Sequence, residues 1–187
     1  MKYYTVDWLG PFTYRELKNL KKSLSAEDND LRWKDSSLYL VVGAKKWNRK
    51  VEKRCVQYVG MTRQNCAFRV MQHFDEQREN DDKFQELKLD EIGFWIGVFV
   101  PLTKDIKKEA HLLEHALIHC TKPPLNVNAT INPAKEDITI LSRFYKKRAP
   151  DQVCKNQPKT LRNVPDVIMW DGKRYYTADR LKPTENK

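Results

Sequence analysis

Six side chains in the middle of the chain have types suited to acting on a phosphate. They are Tyr39 in SLYLVVG, Tyr58 in CVQYVG, Arg69 and His73 in RVMQH, Glu114 in EHALI and Asn126 in PPLN. Hydrolysing a phosphodiester needs an in-line water, a group to take its proton, positive charge on the phosphate and stabilisation of the leaving oxygen. A carboxylate such as Glu114 can hold Mg²⁺, a hard cation that prefers oxygen and keeps several of its waters. A tyrosine hydroxyl, with a pKa of about 10, acts as a base only where nearby cations lower it. Lys45, Lys46, Lys50 and Arg69 are the cations the sequence offers for that work.

A second constellation overlaps the first. His111-Leu112-Leu113-Glu114-His115 spells H-x-x-E-H, in which two histidines bind Zn²⁺ and the glutamate activates water, the arrangement of a zinc metallopeptidase. His119 extends the row by one more helical turn. At about 100° per residue the three histidines fall opposite the apolar stripe, on a face that solvent usually covers. Each residue also has a plainer use on its own. Strand tyrosines pack across strands, an arginine pairs with acids, and an asparagine after two prolines sits in a turn.

The elements that must position these groups follow from periodicity. TYRELKNLKKSL (13–24) sets Leu17, Leu20 and Leu24 at helical spacing behind Thr13 as N-cap. SLYLVVG and CVQYVG read as an antiparallel hairpin with a long basic tip, AKKWNRKVEKR. QNCAFRVMQHF carries Ala67, Val70, Met71 and Phe74 on one helical face, and IGFWIGVFV is a third strand whose continuous apolarity implies burial on both faces or against helices. DIKKEAHLLEHALIHC (105–120) is the clearest helix, with a stripe of Ile106, Ala110, Leu113, Leu117 and Cys120 and with Glu114 at its edge. Further on, DITILSRFYKKR reads as a short helix and VIMWDGKRYY as a hairpin turning at Asp171-Gly172.

Composition narrows the class. With 187 residues, 40% hydrophobic and 32% charged, the chain supports one core with appendages, and no apolar run approaches the roughly 20 residues of a membrane helix. MKYYTVDWLG has no basic start leading into an apolar stretch, which predicts no secretory signal and a cytoplasmic location. The four cysteines form no C-x-x-C pair, so they are read as reduced thiols in or near the core. The net charge of +10 concentrates in residues 36–60 and 134–187, a distribution that fits a nucleic-acid partner and that an anionic membrane surface or simple solubility could also use.

The order of strand tyrosine, Tyr58-Val59-Gly60, Arg69 with His73, and Glu114 with Leu117, Ile118, Pro123 and Asn126 resembles the GIY-YIG nuclease superfamily over roughly residues 36–128. Ser37 stands where the family usually has glycine, and the interval from Tyr39 to Tyr58 is longer than usual, which implies a basic insertion. The resemblance implies Mg²⁺ (or Mn²⁺) on Glu114 at the scissile phosphate, with Tyr39 as general base. Tyr58 would orient water or phosphate, Arg69 would neutralise developing charge, His73 would hydrogen-bond within the site, and Asn126 would fix the loop behind Glu114.

The expected protein is therefore an α/β (α+β) protein with a small three-stranded antiparallel sheet flanked by helices. A helical extension (1–35) precedes the catalytic core (36–128), and a basic extension (129–187) follows it. The expected activity is that of a stand-alone, type II restriction-like endonuclease on double-stranded DNA, with a homodimer implied if its site is palindromic. Lys45, Lys46, Arg49, Lys50, Lys146, Lys147 and Arg148, with Trp170, Tyr175 and Tyr176, are the candidates for gripping DNA. The alternative is a non-catalytic nucleic-acid-binding protein on the same scaffold.

Overall fold

The computed structural model describes residues 1–24, 37–43, 46–47, 50–51, 55–62, 67–72, 92–126 and 136–178. Its strands are β1 (Lys2–Phe12), β2 (Ser37–Gly43), β3 (Lys46–Trp47), β4 (Lys50–Val51), β5 (Cys55–Thr62), β6 (Gly93–Phe99), β7 (Ile138–Lys146), β8 (Ala149–Val153), β9 (Val167–Trp170) and β10 (Tyr175–Ala178). The helices are α1 (Tyr14–Leu24), α2 (67–72) and α3 (Ile106–Thr121).

The small three-stranded sheet flanked by helices does not form. Eight strands build one mixed sheet in the order β10-β9-β7-β1-β6-β2-β5, with β8 paired to β7, and β3-β4 make a separate two-stranded ladder. The expectation fell short at two segments. β1 runs through KYYTVDWLGPF, burying Tyr4, Val6 and Trp8 on one face. It pairs antiparallel with β6 and parallel with β7, so the segment read as a helical extension also supplies a central strand. β7 is the stretch read as a helix. Its buried Ile138, Ile140, Ser142 and Phe144 alternate with more exposed residues, the period of a strand. β2, β5 and β6 are antiparallel neighbours, and β9 and β10 form the expected hairpin, with Gly172 at φ 84° in the turn.

Two apolar layers cover the two faces. Trp8, Leu38, Leu40, Val59 and Trp95 pack with Ala110, Leu113, Ala116 and Leu117 of α3. Tyr39, Val41, Phe94 and Ile96 pack on the opposite face with Leu17 of α1 and Ala67, Val70 and Met71 of α2. The alternation of Leu38/Tyr39/Leu40/Val41 between these layers is the strand period made visible.

Local caps fix the helices. Thr13 and Glu16 form a reciprocal capping box at α1: Glu16 N–H donates to Thr13 Oγ1 at 3.2 Å, and Thr13 N–H donates to Glu16 Oε2 at 2.8 Å. Asp105 caps α3 by accepting from Lys108 N–H at 3.1 Å, and Lys122 ends it in the left-handed region. Glu109 is buried and accepts from Leu102 N–H at 2.8 Å, tying the incoming loop to the helix. No helix among the described residues is long and apolar enough to cross a membrane.

Because β1 has a partner on each edge, removing residues 1–12 should abolish cooperative unfolding followed by circular dichroism and tryptophan fluorescence. A truncated chain that still melts in one sharp transition would show that the sheet closes without β1.

Candidate active site at the edge of the sheet

β5 is the last strand of the sheet, so its outer row of backbone groups needs partners from elsewhere. The turn after α3 supplies most of them. Leu125 N–H donates to Gln57 O at 3.0 Å. The Asn126 side chain then takes both backbone groups of Val59: Oδ1 accepts from Val59 N–H and Nδ2 donates to Val59 O, each at 2.8 Å. Asn126 is buried, and its amide mimics one rung of a strand. Glu114 accepts from the backbone N–H of Met61, the next outward-facing group. Asn126 and Glu114 are thus anchored to the strand that carries Tyr58.

Tyr39 lies directly opposite Gly60 across the β2-β5 ladder, with its ring laid over that glycine. A Cβ at position 60 would stand 2.4 Å from Tyr39 Cζ, so the glycine of Tyr58-Val59-Gly60 is the space the ring occupies. The Tyr39 and Tyr58 rings sit 5.9 Å apart, tilted by 33°. Tyr39 is only 4% exposed, whereas Tyr58 is half-buried. Burial raises the Tyr58 pKa and the nearby Glu114 carboxylate raises it further; a hydrogen bond with Tyr39 and the Arg69 guanidinium oppose the shift. Four residues on β2, β5, α2 and α3 therefore share one electrostatic neighbourhood.

Glu114 is the most perturbed group there. Its side chain is 15% exposed, and burial pushes its carboxyl up to about 7 against the opposing Met61 N–H bond. His111 Nδ1 lies 3.3 Å from Glu114 Oε2, and the ligating atoms of His111, Glu114 and His115 all fall within 4.8 Å of one another. The histidine row is less solvated than its helical angle predicts. His111 is exposed, but His115 is half-buried, and His119 stacks on Tyr175 at 4.4 Å.

The other expected site residues are placed differently. His73, Lys45 and Arg49 lie outside the described residues, and Lys46 and Lys50 fall on the β3-β4 ladder. Lys146, Lys147 and Arg148 close β7, four strand spacings (about 15–20 Å along the sheet) from β5. Lys147 is ion-paired with Glu16 at 2.5 Å and lies over the Phe12 ring, a contact that ties α1 to β7. Trp170 is buried and lies 4.5 Å from the half-buried Tyr175, so these rings serve the packing of α3 against the β9-β10 hairpin. Cys55, Cys120 and Cys154 are thiols, each half-buried, and Cys55 Sγ accepts from Gln57 Nε2 at 3.2 Å. Sequence reasoning left out Gly60 as a seat for Tyr39 and the Met61 N–H as a partner for Glu114. The glycine itself was the available signal.

No protein-family model matches the chain, and neither the curated proteins nor the solved structures give a match.

Asn126→Ala should cost about 2–4 kcal/mol, because it leaves the N–H and C=O of Val59 buried without partners. Denaturant unfolding checks this, and a loss below about 0.5 kcal/mol would mean that water replaces the amide.

In EDTA, the raised Glu114 pKa makes a second prediction. Between the ordinary carboxyl value of 4.5 and about 7, the folded state holds a proton that the unfolded chain releases, so stability falls as pH rises through that window. Glu114→Gln should match the wild type near the bottom of the window and exceed it above the top, by up to about 3 kcal/mol. Parallel pH profiles for the two proteins would rule this out.

Proposed function

We propose that the protein is a Mg²⁺-dependent DNA endonuclease of the GIY-YIG type, a stand-alone cytoplasmic enzyme of restriction character that hydrolyses phosphodiester bonds in duplex DNA. The observation that carries the reading is the convergence of Tyr39, Tyr58, Arg69 and Glu114, from four separate elements, on one end of the sheet, with Asn126 holding the strand between them. Packing alone does not call for two tyrosines, a guanidinium and a half-buried carboxylate in one place.

The donor chemistry fits the cation. Glu114 offers a carboxylate whose burial disfavours an uncompensated negative charge, and a dication beside it would restore that charge. When bound, Mg²⁺ supplies positive charge to the scissile phosphate and to the leaving 3′ oxygen. The chain's own residues do the rest. Arg69 faces the same neighbourhood and neutralises charge on the phosphate. The raised pKa of Tyr58 keeps its hydroxyl protonated at neutral pH, which suits a donor to water or phosphate better than a base. Proton abstraction from water then falls to Tyr39, with which Tyr58 shares a hydrogen bond. The net charge of +10 favours a polyanionic substrate, and a palindromic target would be cut by a homodimer.

One observation favours a second reading. Tyr39 is only 4% exposed, which suits a scaffold that binds nucleic acid without cutting it.

Nicking of supercoiled plasmid DNA in Mg²⁺ separates the two. The wild type should nick and linearise the plasmid, EDTA should stop it, and Glu114→Gln should lower the rate by roughly 100-fold or more. Tyr58→Phe should retain the fold and lose most of the rate. Binding without metal-dependent cuts would transfer the protein to the non-catalytic reading.

A further inference from the structure

We propose that His111, Glu114 and His115 form a binding site for one first-row transition-metal dication, of the Zn²⁺, Co²⁺ or Mn²⁺ class, on the face of α3 that turns toward the β5 edge. The spacing i, i+3, i+4 sets the three side chains on adjoining turns of one helical face. Their ligating atoms lie within 4.8 Å of one another, and the closest named pair, His111 Nδ1 and Glu114 Oε2, is 3.3 Å apart. Two atoms each about 2.0–2.1 Å from a tetrahedral Zn²⁺ are themselves about 3.3 Å apart, so this pair already has the separation of two ligands on one ion. The His111 side chain is 48% exposed and has room to turn as the remaining distance closes.

The surroundings resemble those of a ligand set. The Met61 N–H orients the Glu114 carboxylate, as an outer partner commonly orients a metal ligand. His119, the third histidine of the row, is held elsewhere by its stack on Tyr175, and among the described residues the cluster has three protein ligands. Three protein ligands leave coordination positions open for water or a phosphate oxygen. Donor type then decides the ion. Two imidazoles and one carboxylate suit zinc, cobalt or manganese, whereas Mg²⁺ favours an all-oxygen octahedron and binds imidazole poorly.

The site stands on these three side chains. Only its bearing on cleavage rests on the nuclease reading: in metal-stripped protein the Glu114 carboxylate would still take Mg²⁺ for cutting, and Mn²⁺, which accepts both imidazole and carboxylate, would support cutting as well.

Co²⁺ is the probe, added to the full chain after metal has been stripped with EDTA and the chelator removed, with no nucleic acid present. Visible absorption bands should grow to saturation at one equivalent, persist in excess Mg²⁺ and disappear when Zn²⁺ is added. His111→Ala and His115→Ala should each weaken Co²⁺ binding by at least roughly 10-fold, a loss expected when a metal site loses a supporting group. His111 is exposed, so its replacement does not threaten folding. No bands in the wild type, bands that survive His111→Ala unchanged, or displacement by an equal concentration of Mg²⁺ would each overturn the proposal. Such a failure leaves Glu114-dependent plasmid cleavage untouched, and a protein that binds Co²⁺ but never cuts DNA fails only the nuclease reading.

Discussion

The parallel pairing of β1 with β7 is the contact on which the rest of the sheet depends. Residues 2–10 run alongside 138–146, and the other edge of β1 is taken by β6. Without β1 the sheet separates into β6-β2-β5 and the group of β7 to β10. α3 lies against β2 and β5 on one side of that divide and β9 on the other. Its orientation therefore depends on the two halves being held in register. Trp8 marks the join, fully buried and donating its indole N–H to Ser142 of β7 at 3.3 Å. Glu114 rides on α3, so the position of the candidate site is inherited from a strand pair at the opposite end of the sequence.

The site also depends on lying at an edge. Apolar layers cover both faces of the sheet, and in the middle of it side chains on opposite faces are kept apart by the backbone between them. Beyond β5 that barrier ends. Tyr58 comes from the face shared with α1 and α2, Glu114 comes from α3 on the other, and the two meet across the rim. The groups that satisfy the unpaired edge, Asn126 and Glu114, also bring the chemistry there. An edge strand is ordinarily a hazard that must be blocked. In this protein the blocking groups are part of the candidate site.

The legible and illegible parts of the sequence differ for physical reasons. β2, β5 and β6 are apolar runs with few competing readings, so their residues could be placed in order. β1 was hidden because its outer face is not uniformly polar: Tyr3 and Leu9 sit beside the inward Tyr4 and Trp8, and the doublets Tyr3-Tyr4 and Trp8-Leu9 mask a period of two. β7 misled in the opposite sense. Ile140 with Phe144, and Leu141 with Tyr145, each stand four apart and imitate a helix, while Ser142 puts a hydroxyl on the buried face. Of the site, residue types and chain order were readable. That Asn126 would grip the backbone of Val59 was not, since a pairing over so long an interval leaves no local trace. The histidines of α3 were read as solvent-facing from helical angle alone, which ignores Tyr175 arriving from β10 and Glu114 leaning toward β5.

The order in which the chain is made gives the β1 arrangement a further meaning. β1 is synthesised before both of its neighbours: the antiparallel one is complete only at residue 99 and the parallel one only at residue 146. Until β6 is complete a strand with Tyr4, Val6 and Trp8 along one side has neither edge satisfied, and until β7 follows one edge stays open; closing contacts over such long intervals is slow. During synthesis β1 therefore has a long period in which it is open to the wrong partner, and a chaperone that shelters residues 2–12 would act where the fold is most exposed.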